Sequence, residues 1–316
     1  MPLGSVLAMT SPTGSPTTLT ARTPEDVLAA VPVVLGFEPR DSVVMLTFGG
    51  VETFHARVDL PPPRDADEAV TLLLDPARYH RVARVVFVVY ADDGPAFRTV
   101  TRRLSRAFGE AGIEVVELLR AHDGRWFAPG RPGAPPGGVP YDVGDHRFRA
   151  QAVVEGIVVH GSRAELEAVL RPRPAAVAEV ARALRRAAPS PPGEIADLVD
   201  ARLDAGRFTD AELARVLLGL PEPAGRDAAW AAMSHDVAVR HVRLWTDAVQ
   251  RAPDDLVAGP AAVLALAAWL AGQGALAWCA VDRCTAVDPD NSLARLVADV
   301  LTRAVPPSAW SRAQAG

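Results

Sequence analysis

One run constrains this chain more than any other: residues 82–90, read VARVVFVVY. It is rich in β-branched and aromatic residues and leaves almost no polar position on either alternating face. A strand of that kind is buried on both sides, so it belongs at the centre of a sheet covered above and below. Asp92-Asp93-Gly94-Pro95 then reads as the start of a helix to Ala111, with Arg98, Arg102, Arg103 and Arg106 on its wet face and Gly112 as its stop. Residues 113–119 form a further strand, and Asp123-Gly124 turns the chain into Arg125-Trp126-Phe127. Strands separated by helices in this way predict an α/β sheet with helical crossovers.

The stretch 19–60 supplies the rest of that sheet. Thr23-Pro24-Glu25-Asp26 is a helix start: a Thr cap, Pro at the first helical position, and carboxylates in the first turn. Val27, Leu28, Val31 and Leu35 share one apolar face, Gly36 ends the helix, and Pro39 keeps it from resuming. Residues 42–48 and 53–60, joined at Gly49-Gly50, predict an N-terminal hairpin. A helix follows at 66–74, and 128–141 (APGRPGAPPGGVPY) is a loop by composition. Residues 147–155 read as helical and 157–159 as extended, and Ser162–Glu165 opens another helix with a capping-box pattern. From 175 onward strand signals vanish, leaving helices at 175–187, 194–205, 210–217, 228–250 with room for a break, 261–271, 275–287 and 292–304. The proline clusters at 171–174 and 189–193 mark the change. The expected organisation is a disordered leader over 1–18, an α/β domain over 19–172 with a mixed sheet, crossover helices and the hairpin, an all-helical domain of hairpins over 173–305, and a tail over 306–316.

Composition removes several classes of function. All 33 basic residues are arginine, and the formal charge is −5. Without lysine there is no Schiff-base chemistry, no lysine-bearing phosphate loop and no kinase-type Lys–Glu pair. An acidic chain is not expected to bind nucleic acid. Cys279 and Cys284 fall on different helix faces and suit neither a disulfide nor a zinc pair, and so low a cysteine content predicts a cytoplasmic protein. Residues 256–281 contain no charged residue and are long enough to span a bilayer, but Gly259-Pro260 and Gly272-Gln273-Gly274 divide the stretch. A buried helical hairpin is the better account, and no membrane association is expected. Gly272-Gln273-Gly274-Ala275-Leu276-Ala277 matches G-x-G-x-x-A. That fingerprint holds a dinucleotide only between a strand and a helix, and here an Ala/Leu-rich helix precedes it. Gly272, Ala277, Cys284 and Pro289 instead resemble the small and terminal positions of a tetratricopeptide-like hairpin.

No G-x-S-x-G elbow and no H-E-x-x-H occurs, and His235 and His241 fall on different helix faces. One constellation remains. In the hairpin, Asp41 faces Asp59 across the strands, and a crossover to a parallel strand would bring Asp92 and Asp93 to the same rim. With Arg40, Ser42 and Arg57 beside them, these carboxylates are the candidates for a divalent cation or a phosphorylated ligand. The competing and preferred reading makes Asp41, Asp92 and Asp93 turn and cap residues and pairs Asp59 with an arginine. Arg125 and Trp126 are either a partner-contacting surface or an edge strand with Trp126 tucked into the sheet.

Val31-Pro32-x-x-Leu35-Gly36-Phe37-x-Pro39-x-Asp41-Ser42-Val43-Val44 resembles the opening signature of an actinobacterial family known only as domain of unknown function 4192. The resemblance continues through 57–60, 82–90, Arg125-Trp126 and the helical end AVDPDNSLARLVADVLTRAVPP. It implies no activity. Similar chains often carry a cysteine- and proline-rich loop after the Arg-Trp pair, whereas 128–139 holds no cysteine, so a metal or redox role for that loop does not carry over. The expectation is a non-catalytic interaction or regulatory protein with an unknown protein partner and no cofactor. The alternative is metal-assisted hydrolysis or phosphoryl transfer at the Asp rim.

Overall fold

The structure, a computed structural model, describes residues 5–10, 16–51 and 53–310. The chain divides into two compact units, 1–163 with 302–306, and 164–301 with 307–316.

The first unit opens differently from expectation. Strands β1 (Ser5–Thr10) and β2 (Pro16–Ala21) pair antiparallel, from Ser5 opposite Ala21 to Thr10 opposite Pro16. The disordered-leader reading weighed the Ser, Thr, Pro and Gly content of 1–18 above the β-prone Val, Met, Leu and Thr within it. Residues 1–4 and 11–15 of that leader, and 311–316 of the expected tail, lie outside the described residues.

Helix α1 (Pro24–Leu35) begins at a reciprocal capping box between Thr23 and Asp26 and ends at Gly36, which takes the left-handed conformation at φ 77°. Then come β3 (Ser42–Phe48), β4 (His55–Asp59), α2 (Ala66–Tyr79), β5 (Arg84–Tyr90), α3 (Pro95–Glu110), β6 (Glu114–His122), β7 (Arg125–Phe127), β8 (Val139–Pro140) and α4 (Arg147–Val154). The sheet order is β4-β3-β5-β6-β7-β8. β3 runs antiparallel to both β4 and β5, so those two are parallel to one another with β3 between them. α2 makes that crossover and α3 makes the next, to the parallel strand β6.

β5 is covered on both sides, as its composition demands. Val85, Phe87 and Val89 pack with Leu73, Val100, Leu104 and Phe108 from α2 and α3. Val86 and Val88 pack with Val27, Leu28 and Val31 from α1 and Phe148 from α4. The Phe87 and Phe108 rings meet edge to face at 5.0 Å.

The second unit is helical throughout its described residues: α5 (Arg163–Ala168, whose first residue groups with the first unit), α6 (Pro174–Leu184), α7 (Pro192–Arg202), α8 (Asp210–Gly219), α9 (Pro223–Trp230), α10 (Ala238–Arg251), α11 (Ala258–Leu270), α12 (Gly274–Thr285) and α13 (Ser292–Thr302). Proline occupies the first turn of α6, α7 and α9, where its missing N–H is not needed. The helix expected over 228–250 is two, separated by a 3-10 turn at His235–Val237.

The expected domain border was 172/173, whereas contacts divide the chain at 163/164. Residues just before the proline cluster are tied to α10: Gln250 Nε2 donates to the Val169 carbonyl at 2.6 Å, and the Arg173 amide to the Gln250 carbonyl at 2.7 Å. Residues 302–306 return to the first unit, where the Arg303 carbonyl lies 3.1 Å from His80 Nε2.

α11 is buried almost all round and packs between α10 and α12. Gly272 is the left-handed turn between α11 and α12, so the G-x-G-x-x-A match joins two helices. No helix among the described residues is long and apolar enough to cross a membrane.

Two internal features hold this unit. Arg251 is fully buried; its Nη1 donates to Asp247 at 2.5 Å and to the Phe208 carbonyl at 2.8 Å, and its Nη2 to Asp210 at 2.6 Å. At the corner of α7, α8 and α9, backbones approach until no side chain fits. A Cβ on Gly225 would lie 2.2 Å from the Gly219 carbonyl oxygen, and one on Gly219 would lie 2.7 Å from that of Ser190.

Candidate functional site

The start of β3 and the ends of β4, β5 and β6 share one edge of the sheet, since Ser42 pairs with both Asp59 and Tyr90, and Tyr90 with Ala121. The topology therefore carries Asp41, Asp59, Asp92 and Asp93 to a common rim with Arg40, Ser42 and Arg57. What each carboxylate does there is local. Asp59 is paired with Arg57 at 2.6 Å, and Arg57 Nη2 also donates to the Arg40 carbonyl at 3.5 Å. Burial lowers the pKa of Arg57, which Asp59 opposes. Asp93 is paired with Arg98 at 3.0 Å. Asp41 adopts a left-handed turn at φ 41°, and its carbonyl accepts the Leu60 amide at 2.8 Å. Asp92 rests beside Gly94, its Oδ1 2.9 Å from where a Cβ would be. Among the described residues no group of three or more His, Cys, Asp or Glu side chains is placed to hold a metal ion. The Ser42 hydroxyl is buried without a hydrogen-bond partner.

Arg125 and Trp126 fall on the tucked side of the two readings. Trp126 is 8 % exposed, and its Nε1 donates to Glu25 at 2.8 Å. The Arg125 guanidinium donates to the carbonyls of Gly137 and Gly138 at 2.7 and 3.0 Å, folding the proline–glycine loop back so that β8 pairs with β7. The partner-contact alternative for Trp126 is corrected accordingly: the indole is a core residue, because β7, held between β6 and β8, places it against α1.

Sequence reasoning missed two arrangements. The first is a bolt between α1 and α4. Asp26 Oδ2 accepts the amides of Arg22 and Thr23 at 2.7 and 3.1 Å, while its Oδ1 meets His146 Nε2 and Arg147 Nη2, each at 3.2 Å. Burial pushes this carboxyl up, but the two amides and the flanking cations outweigh it, so its pKa lies below the ordinary value. His146 Nδ1 accepts the Phe148 amide at 3.2 Å, which leaves the ring proton on Nε2, facing Asp26. With both nitrogens engaged, this Asp–His pair caps and joins helices. The second is Arg120, only 8 % exposed, stacked 3.7 Å from the Phe127 ring centroid and 5.6 Å from that of Phe97. A lone arginine in a strand carries no sequence signal of such a cage.

Several other reactive side chains are buried. Cys279 and Cys284 are buried thiols, and burial pushes the Cys284 pKa up to about 12. Both ring nitrogens of His55, and Nδ1 of His241, are buried without hydrogen-bond partners. Burial pulls each histidine down to about 4, with Arg240 adding to the effect at His241.

These values predict an acid-labile fold. An unfolded histidine titrates near 6.5, so below that pH the unfolded chain binds protons that the folded chain refuses. Stability is therefore fully present above 6.5 and is lost as pH falls towards 4. At pH 5 the loss is roughly 2 kcal/mol per histidine. Melting temperatures recorded from pH 7.5 to 4.5 should fall accordingly, and His241→Leu and His55→Phe should each flatten the decline. An unchanged slope in both variants would contradict the assignment.

A family model, Domain of unknown function (DUF4192), matches residues 24–308. Neither a curated protein nor a solved structure matches the chain.

Proposed function

The chain belongs to the DUF4192 family, and on that footing we propose that it works as a non-catalytic interaction module, in the cytoplasm as its low cysteine content suggests. The observation that carries this reading is a group of exposed valines at and just beyond the end of α4: Val153, Val154 and Val158 are 75, 87 and 67 % exposed. Single exposed apolar residues are ordinary, but three large ones within a few positions mark a contact surface. The group stands on a fixed base. α4 is bolted to α1 through Asp26, His146 and Arg147, and Arg149 is paired with Glu38. A preorganised surface loses little conformational freedom on docking.

The occupant we favour is a short apolar segment of another protein, bound transiently. Three valines fall far short of the 20–30 residues a side that a stable dimer buries. Metal-assisted chemistry at the Asp rim is less well supported, because Asp59 and Asp93 are already committed to Arg57 and Arg98.

The test is a photo-crosslinking amino acid placed at Val154 and, as a control, at Arg102 on the wet face of α3. A discrete heterologous adduct is expected from position 154 only, and Val153→Asp should remove it. A dimer of the chain itself, identical adducts from both positions, or no adduct at all would each reject the proposal.

A further inference from the structure

We propose that β4 is a self-pairing edge: two copies of the chain join weakly through it, antiparallel, in a register centred on Val58. The surface is separate from the exposed valines near α4, and the inference does not depend on them.

β4 ends the sheet, and no strand lies beyond it among the described residues. Its ladder with β3 runs unbroken from Ser42 opposite Asp59 to Leu46 opposite His55. The Leu60 amide donates to the Asp41 carbonyl at 2.8 Å, and Phe54 bonds the Thr47 hydroxyl through both its amide and its carbonyl. Alternate residues of a strand send their N–H and C=O groups to opposite sides, so Ala56 and Val58 also face β3. His55, Arg57 and Asp59 therefore turn their backbone groups outward. Folds commonly blunt such an edge with proline, a bulge or lysine; β4, read HARVD, has none of the three.

The face of this edge under α2 adds an apolar margin. Phe54, Ala56, Val58 and Leu60 are only partly buried where they pack against the core. Leu72 of α2 is 48 % exposed. It stands on the flank away from Asp67, whose carboxylate pairs with Arg103 of α3, and so on the side of β4.

A second copy suits this edge because residues 56–60, ARVDL, are their own complement. Run antiparallel about Val58, Arg57 of each copy faces Asp59 of the other, Ala56 faces Leu60, and the two Val58 side chains meet on the twofold axis. Arg57 and Asp59 are the residues whose backbone groups point outward, so this register also forms hydrogen-bonded pairs between the copies. Moving the axis to Arg57 would set two guanidinium groups against one another. Asp59 already meets its own Arg57, but its side chain is 84 % exposed and has room for a second cation. One five-residue strand a side is far less than the roughly 20–30 residues of a stable interface, so the dimer is weak and reversible.

Sedimentation velocity on the full chain, from micromolar to about millimolar concentration, should show a reversible monomer–dimer equilibrium. Asp59→Arg, at an exposed position, turns two attractive pairs into two like-charged ones and should weaken the dimer roughly 10-fold. Arg57→Asp should do the same, and mixing the two variants should restore association, since every cross-pair is again opposite in charge. Register is read by oxidative cross-linking. Non-hydrogen-bonded pairs bring Cα atoms to about 4.5 Å, within disulfide reach. Val58→Cys should therefore link two chains and Ala56→Cys should not, against a background of two buried native cysteines. If Arg57→Asp fails to fold, Asp59→Arg and Val58→Cys decide alone. A chain that stays monomeric throughout overturns the proposal and leaves the edge to a strand of another protein. A dimer indifferent to Asp59→Arg, or linked as readily through position 56 as through 58, overturns it too.

Discussion

Arg251→Ala is expected to destabilise the helical unit by about 3–5 kcal/mol, the cost of breaking a buried ion pair from one side. The guanidinium is fully buried and joins α10 to the start of α8 through Asp247, Asp210 and the Phe208 carbonyl. Removing it leaves that carbonyl without its donor in a dry setting. It also leaves Asp247, largely buried, dependent on Arg173 at 2.5 Å. Asp210 is more open to water, so Asp210→Asn should cost far less, about 1 kcal/mol, near the value of an exposed pair. Urea titrations of the two variants, followed by circular dichroism at helical wavelengths, separate these values. An Arg251→Ala loss no larger than that of Asp210→Asn would mean the network contributes nothing beyond its surface member.

Phe87→Ala should cost a comparable amount in the α/β unit, about 3–5 kcal/mol. Phe87 has no exposed surface, lies mid-strand in β5, and meets the ring of Phe108 edge to face. Truncation opens a cavity bounded by strands on one side and by α2 and α3 on the other, and hydrogen-bonded strands relax poorly into such a space. Phe87→Leu keeps most of the volume and should cost less than about 2 kcal/mol. Thermal unfolding monitored by near-ultraviolet dichroism tests the pair. Equal losses in the two variants would show that the site collapses around the smaller side chain.

β5 was legible because a strand buried on both faces has no room for polar residues, and that demand is written into 85–89, all of them buried. The start of α1 was legible for a local reason, as Thr23 and Asp26 satisfy one another's backbone within a single turn. The rim of carboxylates was legible as a placement, since strand direction alone brings Asp41, Asp59, Asp92 and Asp93 to one edge. Their pairings were not: whether an aspartate meets an arginine or a cation depends on side-chain directions that spacing does not encode. Asp26 and His146 are 120 positions apart, and nothing local in either segment announces the other. Arg120 looks like any arginine in a strand until Phe97 and Phe127 close over it. The β1–β2 pairing is masked by the Ser, Thr, Pro and Gly content around it, and the break before α10 at His235–Val237 carries no proline or glycine to mark it.

The corner where Gly219, Gly225 and the Ser190 carbonyl meet has a mechanical meaning. Gly219 closes α8 and Gly225 lies in the first turn of α9, so their close approach fixes the angle at which one helix hands over to the next. Any residue larger than glycine at either position would have to prise that joint open, so the bend tolerates no side chain of its own.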